Sequence, residues 1–194
     1  MKNPRKGIFS LDCCTQDRLI PDYAQLGILV KSLRENFGYT ISLVSGSYDM
    51  LHIGHCRYLR ETKLRADICI VGLDSDAKIQ KRKGPNRPIV PQDERIEMLT
   101  HTRYVDIVTL KEASDEKWKL IKVVRPDVLV ISERMDYDDG EREALKALCG
   151  EVVLLESQAT TSSSAKIRKL QIEVLLPALA EMQTAITKIR ESTK

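Results

Sequence analysis

The 194-residue sequence has no strong charge of either sign: 31 Lys+Arg stand against 28 Asp+Glu, a formal net charge of +3. A general nucleic-acid binder would carry a strongly basic domain, so that class is disfavoured. Aromatic residues are scarce, at 5%, and no basic face with interleaved aromatics is present to stack bases. No nucleic-acid partner is expected. No apolar run reaches the ~18 residues of a membrane-spanning helix. The start of the chain, MKNPRKGIFSLDCC, is basic but lacks the apolar stretch of a secretory signal, so no membrane partner is expected. The five cysteines, Cys13, Cys14, Cys56, Cys69 and Cys149, are odd in number and show no repeated spacing. That argues against a disulfide framework and for reduced thiols in the cytoplasm. Internal repeats are absent. What remains is ordinary globular composition, 42% hydrophobic and 30% charged, enough for one sizeable core.

The pattern that is present is alternation. Residues 1–20 carry little periodicity and read as an arm. Leu26, Leu29, Val30, Leu33 and Phe37 recur at helical spacing over 21–37, with Gly38 just past the end. Strands are predicted at 40–44, 67–73, 105–109, 128–132 and 152–155. Helices are predicted at 53–64, 92–102, 117–124 and 141–149. The basic stretch 77–91, punctuated by Gly and Pro, reads as a loop. Near-continuous apolar strands separated by helices predict an α/β fold, a five-stranded parallel sheet flanked by helices. Its ligands belong beyond the carboxyl ends of the strands. From Ser164 onward, apolar residues from Ile167 to Ile189 recur at three- and four-residue steps, a C-terminal helical extension that Pro177 would kink or split. It packs back on the sheet or forms a seam for a second subunit. The expected divisions are an N-terminal arm and helix at 1–39, a main domain at 40–165 and a helical tail at 166–194.

Two of the three histidines, His52 and His55, fall where the first strand turns into its helix, in Ser45-Gly-Ser-Tyr-Asp-Met-Leu-His-Ile-Gly-His55. Gly46 permits close approach of a ligand to the main chain. A helix N-terminus there offers N–H groups and positive partial charge to an anion. Imidazoles three residues apart across the first turn suit charge developing on a phosphate. Zinc on His52, His55 and Cys56 would be a crowded, poorly tetrahedral set. There is no P-loop and no dinucleotide fingerprint.

The segment G-S-Y-D-M-L-H-I-G-H resembles the G-x-[FY]-D-x-x-H-x-G-H signature of the cytidylyltransferase-like nucleotidyltransferase superfamily, and the resemblance extends over residues 40–170. Lys83-Gly-Pro-Asn-Arg-Pro88, Asp93-Glu-Arg95, Arg103-Tyr-Val-Asp106, Pro126-Asp-Val-Leu-Val130 and Thr160-Thr-Ser-Ser-Ser-Ala-Lys166 are similar to the branch containing heptose 1-phosphate adenylyltransferases. That branch usually has T-N-G-C-F-D where this chain has Val44-Ser-Gly-Ser-Tyr-Asp49. It also has K-G-G-D-Y where this chain runs Ser132-Glu-Arg-Met-Asp-Tyr137.

The resemblance implies a Rossmann-like HxGH nucleotidyltransferase fold. It also implies transfer of a nucleoside monophosphate, AMP from ATP in preference to CMP from CTP, to a phosphorylated sugar with release of pyrophosphate. His52, His55 and Lys83 are then catalytic. Gly46, Ser47, Tyr48, Asp49, Asp76, Thr161, Ser162 and Ser163 join the histidines in holding the nucleotide. Lys81, Lys83, Arg87 and Arg95 hold the acceptor phosphate, the basic stretch acting as a mobile lid or as a solvated surface loop. Asp49 and Asp76 contact the nucleotide or its metal shell, or cap turns. Mg2+ accompanies the triphosphate, with no dedicated protein ligands. A homodimer is expected. A cytidylyltransferase acting on a polyol or amino-alcohol phosphate, and a non-catalytic nucleotide-binding subunit, are the competing readings. Elsewhere, Arg95 would otherwise pair with Glu94 or Glu97 on a surface. Arg103 and Asp106 read as an ion pair, His101 as structural or exposed, and Trp118 as a half-buried helix residue.

Overall fold

The computed structural model describes residues 15–133, 137–159 and 163–192. Cys13, Cys14, Thr161 and Ser162 lie outside the described residues. A single turn, α1 (Thr15–Arg18), precedes α2 (Tyr23–Phe37). Asp22 caps α2 by accepting from the Gln25 N–H at 2.7 Å, and Gly38 ends it at φ 68°, a left-handed turn that favours glycine. There follow β1 (Ile41–Gly46), α3 (Ile53–Lys63), β2 (Ile68–Asp74), α4 (Asp76–Lys83), α5 (Gln92–Thr100), β3 (Ile107–Lys111), α6 (Lys119–Val124), β4 (Val128–Ser132), α7 (Asp139–Lys146) and β5 (Glu151–Leu155).

The strands form one sheet in the order β3-β2-β1-β4-β5, and every pairing is parallel. Side chains alternate between its faces. Leu43, Ile70, Ile107 and Leu129 pack with Leu26, Val30 and Leu33 of α2 and Leu120 and Val124 of α6. Val44, Cys69, Val71 and Val108 pack with Leu59 of α3 and Ile96 and Leu99 of α5. Because both faces are covered, β2 is buried along its whole length, which is why its sequence reads as an uninterrupted apolar run. The expected α/β architecture is the one observed. Strand order reverses between β1 and β4, and such a switch point opens a crevice at the carboxyl ends of the two strands.

Three expectations need correction. The basic stretch 77–91 is not all loop, since residues 76–83 form α4. Ser75 caps it by accepting from the Lys78 N–H, and buried Ile79 anchors its inner face. Glycine and proline break the chain only from Gly84 onward. Residues 15–20 are not a free arm. Leu19 bridges Val108 in parallel, the Ile20 N–H donates to the Val108 carbonyl, and Arg18 Nη1 donates to the carbonyls of Thr100 and Val105. This covers the outer edge of β3, an edge strand whose backbone groups would otherwise be open to pairing. Asp106 takes its cation from Lys63, at 2.6 Å, and accepts from the Cys69 N–H, while Arg103 is exposed.

The chain divides into two compact units, one ending at Gln158 and one beginning at Ala159. The second contains α8 (Ser163–Leu170), a π turn (Gln171–Leu175) and α9 (Leu176–Ser192). Pro177 does not split this helix. The Leu176 N–H reaches back five residues to the Gln171 carbonyl, so the ladder widens just before the residue that lacks an N–H.

Gly72 in β2 has a packing reason. A Cβ there would meet Leu120 Cδ2 at 2.5 Å, Ser45 Oγ at 2.8 Å and Lys111 Cδ at 2.9 Å. Gly72→Ala is therefore expected to destabilise the fold by about 1–3 kcal/mol through overpacking. Urea denaturation checks this, and an unchanged midpoint would contradict it.

Candidate active site

The chain leaves β1 through a tight turn before α3. Tyr48 and Met50 hold positive φ angles of 47° and 54°, conformations costing on the order of 1–3 kcal/mol each that cluster at functional sites. Gly46 keeps the turn close, because a Cβ there would lie 3.1 Å from Tyr48 Cε2. The Tyr48 ring is buried in the core on the α3 face. Any contact Tyr48 makes with a nucleotide therefore runs through its backbone.

His52 is the N-cap of α3. Its Nδ1 accepts from the Gly54 N–H at 3.1 Å, and His55 Nδ1 accepts from the His52 N–H at 3.3 Å, a capping box built from two imidazoles. The rings lie 4.0 Å apart between centroids, tilted by 34°, and His55 sits 5.4 Å from the Tyr48 ring. Both are half-buried. With each Nδ1 lone pair taken by a backbone N–H, the proton of a neutral ring belongs on Nε2. The helix start thus presents two Nε2–H donors as well as its own positive end. That arrangement suits stabilisation of a polyphosphate whose bridging oxygen gains charge.

Around this turn the structure gathers most of the expected site residues. Lys83, at the end of α4, donates from Nζ to Ser47 Oγ at 3.1 Å. Burial, reinforced by neighbouring Arg82 and Arg87, holds its pKa below the ordinary lysine value, the condition of an ammonium short of counter-charge. Asp49 is buried. It accepts from the N–H groups of Ile89 and Val90, each at 3.0 Å, and pairs with Arg87 at 2.6 Å. The segment after α4 is thereby pinned to the turn. Asp76 accepts from the Gln92 N–H at 3.2 Å and pairs with Arg95 at 2.6 Å.

Arg95 is not on a surface with Glu94 or Glu97. It is buried, and it donates to the carbonyls of Val90, Ser47 and Asp74 and to the Asp76 carboxylate. Its guanidinium is spent on holding the turn, α4 and α5 together, a positioning role. Lys81 is exposed on α4. Ser163 opens α8 in the second unit. His101 is exposed, 3.7 Å from Glu97, and half-buried Trp118 is the N-cap of α6, in a left-handed conformation at φ 64°. Among the described residues, no three His, Cys, Asp or Glu side chains converge as a metal site.

Sequence reasoning missed Lys111, the last residue of β3, whose Nζ lies 3.5 Å from the buried Asp74 carboxylate that also binds Arg82. A charged residue closing an apolar parallel strand was the available signal.

The parallel sheet carries an imidazole pair and a lysine gathered at the end of its central strand, a positively polarised helix start suited to an anion. The cytidylyltransferase-like family model matches residues 43–188, and the chain belongs to that family. It is similar to the bifunctional protein HldE of Nitratiruptor sp., at 34% identity over 155 residues, 80% of this chain and 32% of that one. It is also similar to the HldE protein of Helicobacter pylori, at 39% identity over 131 residues, 68% of this chain and 28% of that one. The chain spans about a third or less of these curated relatives. Among solved structures, the lipopolysaccharide core biosynthesis protein of Thermoplasma volcanium shares the fold at a TM-score of 0.55 and 24% identity, covering 62% of this chain and 98% of that one. A pantoate-beta-alanine ligase of Francisella tularensis shares it at a TM-score of 0.51 and 16% identity, covering 75% of this chain and 68% of that one.

Proposed function

We propose that the chain is a nucleotidyltransferase that moves AMP from ATP onto a phosphorylated sugar. A phosphate oxygen of the acceptor attacks the α-phosphorus. The bond from that phosphorus to the bridging oxygen breaks, and its electron pair leaves with pyrophosphate. No protein nucleophile is needed, so the site works by positioning and electrostatic stabilisation. The His52 and His55 Nε2–H groups donate to the phosphates as charge builds on the leaving oxygen. Lys83 supplies a cation beside Ser47, and the backbone around Gly46, Ser47 and Tyr48 cradles the chain of phosphates. Thr161, Ser162 and Ser163 are proposed as a second anion-binding segment. Asp49 and Asp76 are committed to Arg87 and Arg95, so Mg2+ would be held by phosphate oxygens and water, where it neutralises phosphate charge. The observation that carries this reading is the paired, backbone-tied imidazoles at the end of β1.

The choice of an adenylyl group and a sugar phosphate rests on the resemblance to heptose 1-phosphate adenylyltransferases. Cytoplasmic location is supported by the free thiols of Cys56, Cys69 and Cys149. No helix among the described residues is long and apolar enough to cross a membrane. Self-association is supported by the C-terminal helix, where Leu176, Leu179, Met182 and Ile189 are more than half exposed.

Pyrophosphate release, measured with ATP and with CTP against sugar 1-phosphates, glycerol 3-phosphate and phosphoethanolamine, tests the reading. Release is expected with ATP and a sugar 1-phosphate. Release only with CTP and a polyol or amino-alcohol phosphate would instead establish a cytidylyltransferase. Tight nucleotide binding without release from any pair would establish a non-catalytic subunit.

A further inference from the structure

The C-terminal helix carries an apolar stripe whose two halves are out of phase in sequence. Ile167, Leu170 and Val174 step by three and four residues, the spacing of one helix face. Continued through an unbroken α-helix, the same face would present Ala178, Glu181, Ala185 and Lys188. The large apolar side chains stand one position later, at Leu179, Met182, Ile186 and Ile189. In such a helix two charged residues would occupy the stripe, and the apolar ones would wind off it.

The π turn absorbs that extra position. It spans Gln171–Leu175, and the Leu176 N–H bonds to the Gln171 carbonyl, five residues back. A turn widened by one residue shifts everything after it by one step, so α9 is turned back into phase with α8. Both stretches then share one face, with Leu175 at the join and Ala178 and Ala185 between the larger side chains. The opposite face is polar and satisfied within the helix. Lys169 lies 3.8 Å from Glu173, and the Thr184 and Thr187 hydroxyls donate to the carbonyls of Ala180 and Gln183.

The size of the stripe bears on what covers it. Leu170, Val174, Leu175, Leu179, Met182 and Ile186 are 50–61% exposed. At about 100 Å2 of apolar surface each, pairing the stripes of two copies removes on the order of 1,200 Å2 from water, enough for a stable specific interface. A second copy brings a stripe of the same length and phase, the self-complementary match that a two-fold interface requires. Steps of three and four with small residues between are the pattern of helix packed on helix. A lipid surface fits less well. The polar face of a membrane-lying helix is rich in Lys and Arg, whereas Glu173 and Glu181 stand here beside Lys169 and Lys188.

We propose that this face is the seam of a homodimer, the C-terminal helices of two copies packing stripe against stripe with the π turn setting their phase. The proposal rests on the self-association reading, to which it gives a face and a phasing device, and it does not depend on the phosphate chemistry.

Sedimentation equilibrium of the full chain over a wide dilution series reads the mass, and two copies are expected. Met182→Glu combined with Ile186→Glu is expected to weaken association about a hundredfold or more, because unpaired charge is buried in both copies. Circular dichroism of that variant is expected to stay that of the folded chain. Lys188→Gln, on the polar face, is expected to leave the mass unchanged. Two length variants read the phasing. One alanine inserted between Ala180 and Glu181 winds the last stretch off the face and is expected to give single copies. Deletion of Glu173 together with Pro177→Ala permits an unbroken α-helix with both stretches in phase, and is expected to keep the dimer. A one-copy mass for the unaltered chain overturns the seam, and pelleting of that single copy with phosphatidylglycerol vesicles would give the stripe to a lipid surface instead. A dimer that survives the two glutamates or the inserted alanine, or that is lost in the shortened helix, overturns it as well. Pyrophosphate release by a single-copy chain sinks the seam and spares the transferase reading. A dimer that releases none from any substrate pair does the reverse.

Discussion

His55→Ala is expected to lower kcat by about 10^2–10^3-fold, the typical loss when one preorganised donor to developing charge is removed. The argument runs through the tautomer. His55 Nδ1 accepts from the His52 N–H, which leaves Nε2–H as the donor that the proposed reading assigns to a phosphate. Removing the ring takes away that donor, the 4.0 Å ring partner of His52 and one half of the capping box. The cap loss destabilises by about 1 kcal/mol, small beside the stability of a folded domain. Pyrophosphate release under saturating substrates, paired with a thermal melt, separates the two effects. Turnover equal to that of the unaltered chain would remove His55 from the chemistry. A melt lowered as far as the turnover would show the ring to be structural.

The second large effect falls on Arg95. Arg95→Met is expected to destabilise by about 2–4 kcal/mol, chiefly by leaving carbonyls under the turn without donors, at about 1–3 kcal/mol for each one buried. The substitution fills much of the volume but strands three carbonyls, those of Ser47, Val90 and Asp74, and leaves the Asp76 carboxylate without its guanidinium. Buried acceptors left without donors carry the full desolvation penalty. Urea denaturation measures the loss directly. If Arg95 instead served only to grip the acceptor, Arg95→Met would raise KM for the acceptor with the denaturation midpoint intact, and the positioning role would be wrong.

That residue also shows where the sequence stops being legible. Strand alternation, the two-faced core and the histidine turn were all readable, because apolar periodicity and a glycine beside a short polar cluster are local signals. The fate of a long cation is not. Arg95, Arg87 and Lys83 sit in one charged neighbourhood of the sequence, yet one is buried under the turn, one is clasped by Asp49 and one reaches Ser47. Only long-range packing decides among such ends. The same holds for α4, where a run of lysine and arginine masked a helix whose single buried anchor is Ile79. The cavity among α2, α6 and the carboxyl ends of β1, β3 and β4 draws on residues from Tyr23 to Tyr137, a constellation with no spacing to betray it.

The Asp49 carboxylate, holding Ile89, Val90 and Arg87 at once, sets the segment after α4 in place before any ligand arrives. On the proposed reading, little of that segment has to be reordered when a nucleotide is captured, so capture owes more to preorganisation than to a closing gate.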